Sequence, residues 1–305
     1  MARRRRGLPI NGVLLLDKPK GASSNHALQR VRRLLQAQKA GHTGTLDPMA
    51  TGLLPVCLGE ATKFSAHLLE ADKVYRTRVQ LGAVTDTGDA EGEVVERCAV
   101  PSLTVANVER VLERFRGEIE QVPPMYSALK HQGRKLYELA REGKSVERAV
   151  RRVTVYDARL LAFEGDTFEL EVRVSKGTYI RTLAEDIGRA LGCGAHITAL
   201  RRLATGPFDS EGMLPLEALE ALPSQSEREA ALLPVDVLVA HLSKLEVDEC
   251  ARQRLMHGQA ASVDAAGEKT GKLTRLYCDE TFLGLGVVTG PQEVAPRRLL
   301  NTAAE

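Results

Sequence analysis

The alternation of hydrophobic and polar residues predicts several β-strands in this chain. Residues 11–16, NGVLLL, predict a short buried strand that the following DKPKG turn ends. Residues 73–81 predict a second strand, and residues 168–174 and 197–203 predict two more. In the second strand every other residue falls on one face, namely Tyr75, Thr77, Val79 and Leu81.

Apolar residues that recur every three or four positions predict three helices. The first begins at Ser24, whose hydroxyl is placed to cap it, and the second covers residues 108–115 and ends at Gly117. The third runs over residues 180–191 and is stopped by Gly192. Because strands and helices mix without a regular βαβ repeat, we predict an α+β fold.

The C-terminal part of the chain has a different pattern. Beyond Lys244, short runs such as LTRLYC and FLGLGVV, separated by Gly and Asp turns, predict a small β domain. Residues 222–243 contain the polar break PSQSERE and do not fit a single element. We therefore predict one domain over residues 1–243, with a basic segment at 1–9, and a second domain over residues 244–305.

Composition narrows the class of protein. The 305 residues are 43% hydrophobic, which is enough to build a full core. No apolar run approaches the roughly 18 residues of a membrane helix, and no signal-peptide core follows the arginine-rich start, so we expect a cytoplasmic protein. Five scattered cysteines without a C-x-x-C pair argue against a disulfide framework or a zinc site.

The small net charge of +2 hides an uneven distribution. Residues 1–40 contain ten Lys or Arg and one acidic residue, Asp17, so the remainder of the chain carries a charge of about −7. This asymmetry predicts a polyanionic partner at one end of the protein. Arg30, Arg32 and Arg33 place part of the charge on the first helix, whereas Arg3 to Arg6 could equally form a solvated terminus.

The segment GHTGTLDPMATG, residues 41–52, has neither a helical nor a strand pattern. Its one carboxylate, Asp47, precedes Pro48, which disfavours helical geometry at the aspartate. Gly41, Gly44 and Gly52 permit backbone conformations that other residues resist. The segment therefore predicts a carboxylate on a stiff, sharply turned loop. The alternative is that Asp47 caps a turn, or a helix that begins near Met49.

Other site chemistries fit this segment poorly. His42 and Asp47 lack a third neighbouring ligand, so they fall short of the three or four ligands that zinc requires. The sequence TGLLPVCLGEATK lacks the Gly-Lys-Ser/Thr of a phosphate loop, and no G-x-G-x-x-G opens a helix. A single carboxylate without a cofactor motif indicates nucleophilic or acid–base chemistry on a substrate that supplies its own reactivity.

Six segments occur in order between residues 14 and 203: LLLDKPKGASSN, AGHTGTLDPMATGLLPVCLGEATKF, YRTRVQLGAVTDTGDAEGE, VPPMYSALK, SKGTYIRTLAEDIG and LGCGAHITALRRL. Together they resemble the TruB family of tRNA pseudouridine synthases, and the bacterial branch is most similar. The resemblance implies a catalytic domain on a mixed, largely antiparallel sheet with flanking helices. It also implies that the second domain is a small PUA-like RNA-binding β domain.

The resemblance implies a function as well. Enzymes of this family isomerise one uridine of the tRNA T-loop, conventionally position 55, to pseudouridine, without metal or cofactor. The chain is thus expected to bind the T-stem-loop of tRNA, to need no protein partner and no membrane, and to be a monomer. Asp47 matches the family's nucleophilic aspartate. Attack at C1′, attack at C6 and a glycal route with Asp47 as the base all remain open.

The resemblance also assigns the other site residues. Arg181 matches the arginine that pairs with the aspartate, and an adjacent guanidinium favours the ionised carboxylate. Tyr75 matches the ring that stacks on the target uracil and serves in proton transfer at C5; such stacking is worth about 1–3 kcal/mol per base. Tyr179 and Leu200 match positions that line the uracil pocket. His42 matches the residue that fills the space left by the flipped uridine.

Alternatives accompany these assignments. From the residues alone, an ordinary strand-core position is favoured for Tyr75 and is also open for Leu200, and phosphate binding at a helix start is the alternative for Arg181. A tRNA-folding chaperone with secondary catalytic activity is a second candidate function. The guide-RNA-dependent branch of the family is disfavoured by the short C-terminal domain. Lys18, Lys20 and Lys63, with the basic first helix, are expected to neutralise RNA phosphates.

Overall fold

The computed structural model describes residues 7–265 and 267–301, so Arg3 to Arg6 of the predicted basic segment lie outside the described residues. The strands, in chain order, are β1 Gly12–Lys18, β2 Ala40–His42, β3 Thr51–Leu58, β4 Lys73–Leu81, β5 Ala83–Thr85, β6 Val94–Arg97, β7 Gly117–Gln121, β8 Lys130–His131, β9 Arg134–Lys135, β10 Arg151–Glu164, β11 Thr167–Val174, β12 Ala195–Thr205, β13 Leu214–Pro215, β14 Lys244–Glu246, β15 Ala261–Ser262, β16 Leu273–Cys278, β17 Thr281–Gly290 and β18 Glu293–Leu299.

The helices are short, and within the described residues none is long and apolar enough to cross a membrane. They are α1 Ser24–Leu34, α2 Ser65–Leu69, α3 Val105–Glu113, α4 Leu136–Arg141, α5 Ile180–Ala190, α6 Leu216–Ala221, α7 Gln225–Ala230 and α8 Glu249–Met256, with 3₁₀ turns at Gly59–Lys63 and Val235–Val239. The hydroxyl of Ser23 accepts a hydrogen bond from the His26 N–H at 3.1 Å and caps α1. The prediction of Ser24 as the cap was therefore wrong by one residue, because Ser24 is the first residue of the helix.

The main sheet has nine strands in the order β13-β1-β3-β12-β4-β11-β10-β7, with β2 paired to β3. The pairs β1–β13 and β3–β12 are parallel, and the other neighbours in this sheet are antiparallel. The predicted α+β class with a mixed, largely antiparallel sheet is confirmed. Strands β1, β4, β11 and β12 and helices α1, α3 and α5 fall where the hydrophobic periodicity predicts them.

Strands β1 and β3 are buried on both faces. On one face Leu14 and Leu54 belong to the core that also holds the apolar side of α1 and α5. On the other face Val13 and Leu53 pack in a second cluster with residues from the C-terminal part of the chain, such as Leu285. Two-sided burial explains why NGVLLL is continuously apolar and does not alternate.

The five C-terminal strands form a separate sheet in the order β14-β16-β17-β18-β15. Helix α8 packs on this sheet, which has its own apolar core. The ring centroids of Phe64 and Phe282 lie 5.6 Å apart, which joins this sheet to the main one. At the same junction the carboxylate of Glu60 accepts a hydrogen bond from the Asn301 N–H at 2.6 Å. The stretch that the pattern left unplaced contains α7 and the turn Val235–Val239.

Gly52 on β3 lies close to the backbone of Arg202 on the neighbouring strand β12. Its φ is +97°, and a Cβ there would lie 2.2 Å from the Arg202 carbonyl oxygen. We expect Gly52→Ala to lower the free energy of unfolding by at least about 2 kcal/mol, because left-handed strain and a backbone clash add up. Urea unfolding measures the change.

Gly165 provides the matched control. Its φ is also positive, +63°, but a Cβ there meets no atom within 4 Å. Gly165→Ala should therefore cost about 1 kcal/mol, the strain alone. Equal losses for the two variants would contradict the packing described at Gly52.

Candidate active site

Asp47 lies on the loop that joins the paired strands β2 and β3. Its carbonyl accepts a hydrogen bond from the Ala50 N–H at 3.1 Å, which makes a tight turn, and Gly44 on the same loop has φ +104°. No helix follows, because β3 begins at Thr51. The alternative that Asp47 caps a helix near Met49 is therefore wrong, and the side chain of Asp47 is free for another role.

The Asp47 carboxylate is paired with a buried arginine. Arg181 Nε lies 3.1 Å from Asp47 Oδ2; the Arg181 side chain is 4% exposed, whereas that of Asp47 is 37% exposed. The two terminal nitrogens of Arg181 donate to the carbonyls of Thr87 and Tyr126, each at 2.7 Å. All three guanidinium nitrogens thus bond within the protein, which leaves little of this side chain for a phosphate.

A second carboxylate, which the sequence did not single out, lies beside the pair. Asp89 Oδ2 is 3.8 Å from Arg181 Nε, and the Asp89 side chain is 7% exposed. Asp89 Oδ1 accepts hydrogen bonds from the Thr87 hydroxyl at 2.6 Å and the Glu91 N–H at 3.0 Å. In the sequence Asp89 lies in the segment TDTGDAEG, and the pattern of that segment indicates only a turn. The contact with Arg181 depends on the fold.

Tyr75 and Leu200 occupy one face of the main sheet. Leu200 on β12 is paired with Thr77 on β4, and Arg202 is paired with Tyr75, so these four side chains share that face. Leu200 is buried and Tyr75 is half-buried. Arg202 donates to the carbonyls of Leu53 at 2.7 Å and Gly44 at 3.1 Å, which ties the Asp47 loop to this face beside Tyr75.

His42 and Tyr179 lie at the ends of elements that border the loop. His42 ends β2, and its Nδ1 has no hydrogen-bond partner among the described residues. Burial, and after it the nearby Arg202 guanidinium, lower the pKa of His42, so the imidazole is neutral at pH 7. Tyr179 precedes α5, and Gln121 holds it by accepting from its N–H at 3.1 Å and donating to its carbonyl at 3.3 Å. Burial raises the pKa of the Tyr179 phenol.

Two lysines expected to bind RNA phosphates, Lys18 and Lys63, form bonds within the protein instead. Lys18 is fully buried, and its ammonium donates to the carbonyls of Pro19, Ala22 and Pro48. Burial lowers the pKa of Lys18 to about 8, although the Asp47 carboxylate opposes the shift. The prediction that Lys18 binds RNA phosphates was therefore wrong, because its ammonium is buried and bonded to three backbone carbonyls.

Lys63 is the second of these lysines. Its side chain is 13% exposed and is paired with Glu60 at 2.5 Å. The Lys63 ammonium also donates to the Leu299 carbonyl at 2.9 Å, so it joins the main sheet to the C-terminal strands. Lys20, in contrast, is exposed and keeps its predicted role as a hypothesis.

The assembled site presents one partly exposed carboxylate beside the buried side chains of Arg181 and Asp89. Asp47 is fixed by a guanidinium, and a neutral imidazole lies on the same loop. Such an arrangement suits nucleophilic attack or proton abstraction by the carboxylate. Among the described residues, no group of three or more His, Cys, Asp or Glu is arranged to hold a metal ion.

Three family models match successive parts of the chain. The model described as TruB family pseudouridylate synthase (N terminal domain) matches residues 32–180. The model of the tRNA pseudouridylate synthase B C-terminal domain matches residues 181–240, and that of the C-terminal region of pseudouridine synthase II TruB matches residues 243–300.

Full-length relatives and solved structures agree with these matches. The tRNA pseudouridine synthase B of Chromohalobacter salexigens is 70% identical, covering 100% of this chain and 99% of the relative. That of Azoarcus sp. is 55% identical over 96% of each chain. A Cbf5-Nop10-Gar1 complex contains a chain with a TM-score of 0.72 and 29% identity, covering 94% of this chain and 84% of that chain. The chain described here therefore belongs to the TruB family of pseudouridylate synthases.

Proposed function

We propose that this chain isomerises one uridine in the T-loop of tRNA, position 55, to pseudouridine. The observation that carries the proposal is the Asp47–Arg181 pair at 3.1 Å in a chain that is 70% identical to a tRNA pseudouridine synthase B. The pair holds a carboxylate in a fixed direction on a restrained loop. The reaction needs such a group because the detached uracil and ribose must be held while the base turns.

The chemistry exchanges one glycosidic bond for another. The bond between N1 and C1′ breaks, the uracil rotates, C5 joins C1′, and the proton at C5 leaves while N1 gains one. Asp47 acts by attack on C1′, by attack on C6, or as a base that gives a glycal; the geometry is compatible with each. In all three routes Arg181 orients the carboxylate.

The remaining site residues receive roles in recognition. Tyr75 stacks on the target uracil and serves in proton transfer at C5, while Leu200 and Tyr179 line the uracil pocket. A uridine within a folded T-loop must be flipped out at a cost of a few kcal/mol. We propose that His42, neutral and on the same loop as the nucleophile, occupies the vacated space. The support is its unpaired Nδ1 and its place at the end of β2.

We further propose that the enzyme is cytoplasmic and acts as a monomer on the T-stem-loop, without a cofactor or protein partner. Relatives named tRNA pseudouridine synthase B match 96% or more of this chain at 51–70% identity. The chain of the Cbf5-Nop10-Gar1 complex is more distant, at 29%. The C-terminal five-stranded sheet is proposed to be the PUA-like RNA-binding domain.

Asp47→Asn tests the nucleophile. We expect it to lower the rate of pseudouridine formation on an unmodified T-stem-loop at least about 1,000-fold, because the amide cannot replace the carboxylate as nucleophile or base. Binding of the RNA should change little. The measurement is single-turnover conversion, with binding followed separately.

The exposed Asp157, whose side chain is 51% accessible on β10, is the control, and Asp157→Asn should keep the wild-type rate. Conversion by Asp47→Asn at the wild-type rate would contradict the assignment. A wild-type protein that folds tRNA but forms no pseudouridine would instead support the chaperone function.

Arg181→Lys tests the orienting arginine. A lysine keeps the charge but cannot bond Asp47 and the carbonyls of Thr87 and Tyr126 at once, so kcat should fall by about 100-fold or more. Arg189→Lys, on the same helix with a side chain that is 76% exposed, should leave kcat unchanged. Steady-state kinetics measures both. A wild-type kcat for Arg181→Lys would show that the simultaneous bonds of the guanidinium to Asp47, Thr87 and Tyr126 are not needed.

A further inference from the structure

The hydroxyl of Ser24 is bonded to the residue directly before Asp47. Ser24 Oγ accepts a hydrogen bond from the Leu46 N–H at 2.7 Å and donates to the Leu46 carbonyl at 2.9 Å. The two residues are 22 positions apart in the chain, so the contact joins the start of α1 to the Asp47 loop. Ser24 is 1% exposed and Leu46 is 3% exposed, so water has no access to replace the hydroxyl.

The residue directly after Asp47 is held by the turn that precedes α1. The carbonyl of Pro48 accepts hydrogen bonds from the Gly21 N–H at 2.7 Å and from the Lys18 ammonium at 3.3 Å. Both neighbours of Asp47 are thus fixed to residues 18–24. The Asp47 side chain itself takes no part in these bonds and remains directed at Arg181 Nε.

The loop needs such anchors because Pro48 restricts the backbone only locally, whereas the glycines on either side of Asp47 do not fix it. Gly44, with φ +104°, lies three residues before Asp47, and Gly52, with φ +97°, lies five residues after it. The loop between them bends sharply and has no strand or helix of its own to fix the backbone. The Leu46 N–H has no other partner among the hydrogen bonds of the described residues, so Ser24 alone satisfies it.

We propose that Ser24 is a positioning residue: its buried hydroxyl, by clamping the Leu46 peptide groups, sets the direction in which Asp47 approaches Arg181 and the target uridine. This inference rests on the proposed role of Asp47. Displacement of a reacting group by about 1 Å can cost a factor of 100 in rate, even when the residue lost is away from the chemistry. Ser24 acts on the chemical step, because its hydroxyl is inaccessible to the RNA.

Ser23 offers a matched control at the adjacent position. Its hydroxyl caps α1 through the His26 N–H, and among the described residues the hydrogen bonds to Leu46 come from Ser24 and not from Ser23. Ser23→Ala removes a serine hydroxyl from the same helix end, so it should lower thermal stability while leaving the Asp47 loop in place. Comparison of the two alanine variants separates loss of helix stability from loss of loop position.

The experiment measures single-turnover conversion of a T-stem-loop by wild type, Ser24→Ala, Ser24→Thr and Ser23→Ala, at a temperature where each is folded. Ser24→Ala should lower the maximal single-turnover rate about 10- to 100-fold. The RNA concentration that gives half of this rate should change less than about threefold. Ser24→Thr, which retains the hydroxyl, should recover most of the rate. Ser23→Ala should keep the wild-type rate.

A wild-type rate for Ser24→Ala, or an equal loss of rate in Ser23→Ala, would overturn the proposal. Failure of the wild-type protein to form pseudouridine would instead reject the proposed function, so the two failures are distinguishable. A second measurement needs no variant: hydrogen exchange of the wild-type Leu46 amide. The clamp predicts exchange as slow as that of the β3 amides, and exchange as fast as that of exposed loop amides would also overturn the proposal.

Discussion

The buried guanidinium of Arg181 organises the site. Arg181 is 4% exposed, and a guanidinium removed from water is costly unless its donors are satisfied. It is satisfied by the Asp47 carboxylate and the carbonyls of Thr87 and Tyr126. These groups come from three separate loops, and the arginine itself comes from the first turn of α5. The loops therefore converge at one point, and the carboxylate that is proposed to react is one of the groups that compensate the buried charge.

The backbone around Asp47 is restrained as strongly as its side chain. Ser24 holds Leu46, the turn before α1 holds Pro48, and Arg202 holds Gly44 from the sheet. A loop restrained at these points can keep its conformation while the target uridine is flipped out of the T-loop. His42 ends the strand β2 that leads into this loop, so the group proposed to fill the vacated space lies close in the chain to the proposed nucleophile.

Periodicity alone predicted much of the scaffold, because β4 and β11 bury every second residue and α5 buries Ile180, Leu183 and Ile187 at helical spacing. It did not predict β3, since TGLLPVCL is buried on both faces and contains Gly and Pro, and it did not predict β10. In the site, the resemblance identified Asp47 and Arg181, whose contact the structure shows. The contributions of Asp89 and Arg202 depend on contacts between distant segments, which no local pattern encodes. Lys18 was misassigned because its burial is likewise a tertiary property.

The most direct test of this account is a crystal structure of the protein with a T-stem-loop RNA that carries 5-fluorouridine at the target position. We expect the target nucleotide to be flipped out of the loop, with its base against Tyr75 and Leu200 and its C1′ or C6 next to an Asp47 oxygen that still contacts Arg181. His42 should stand in the space that the base has left. A target base that remains stacked in the T-loop, with Asp47 facing solvent or phosphate, would contradict it.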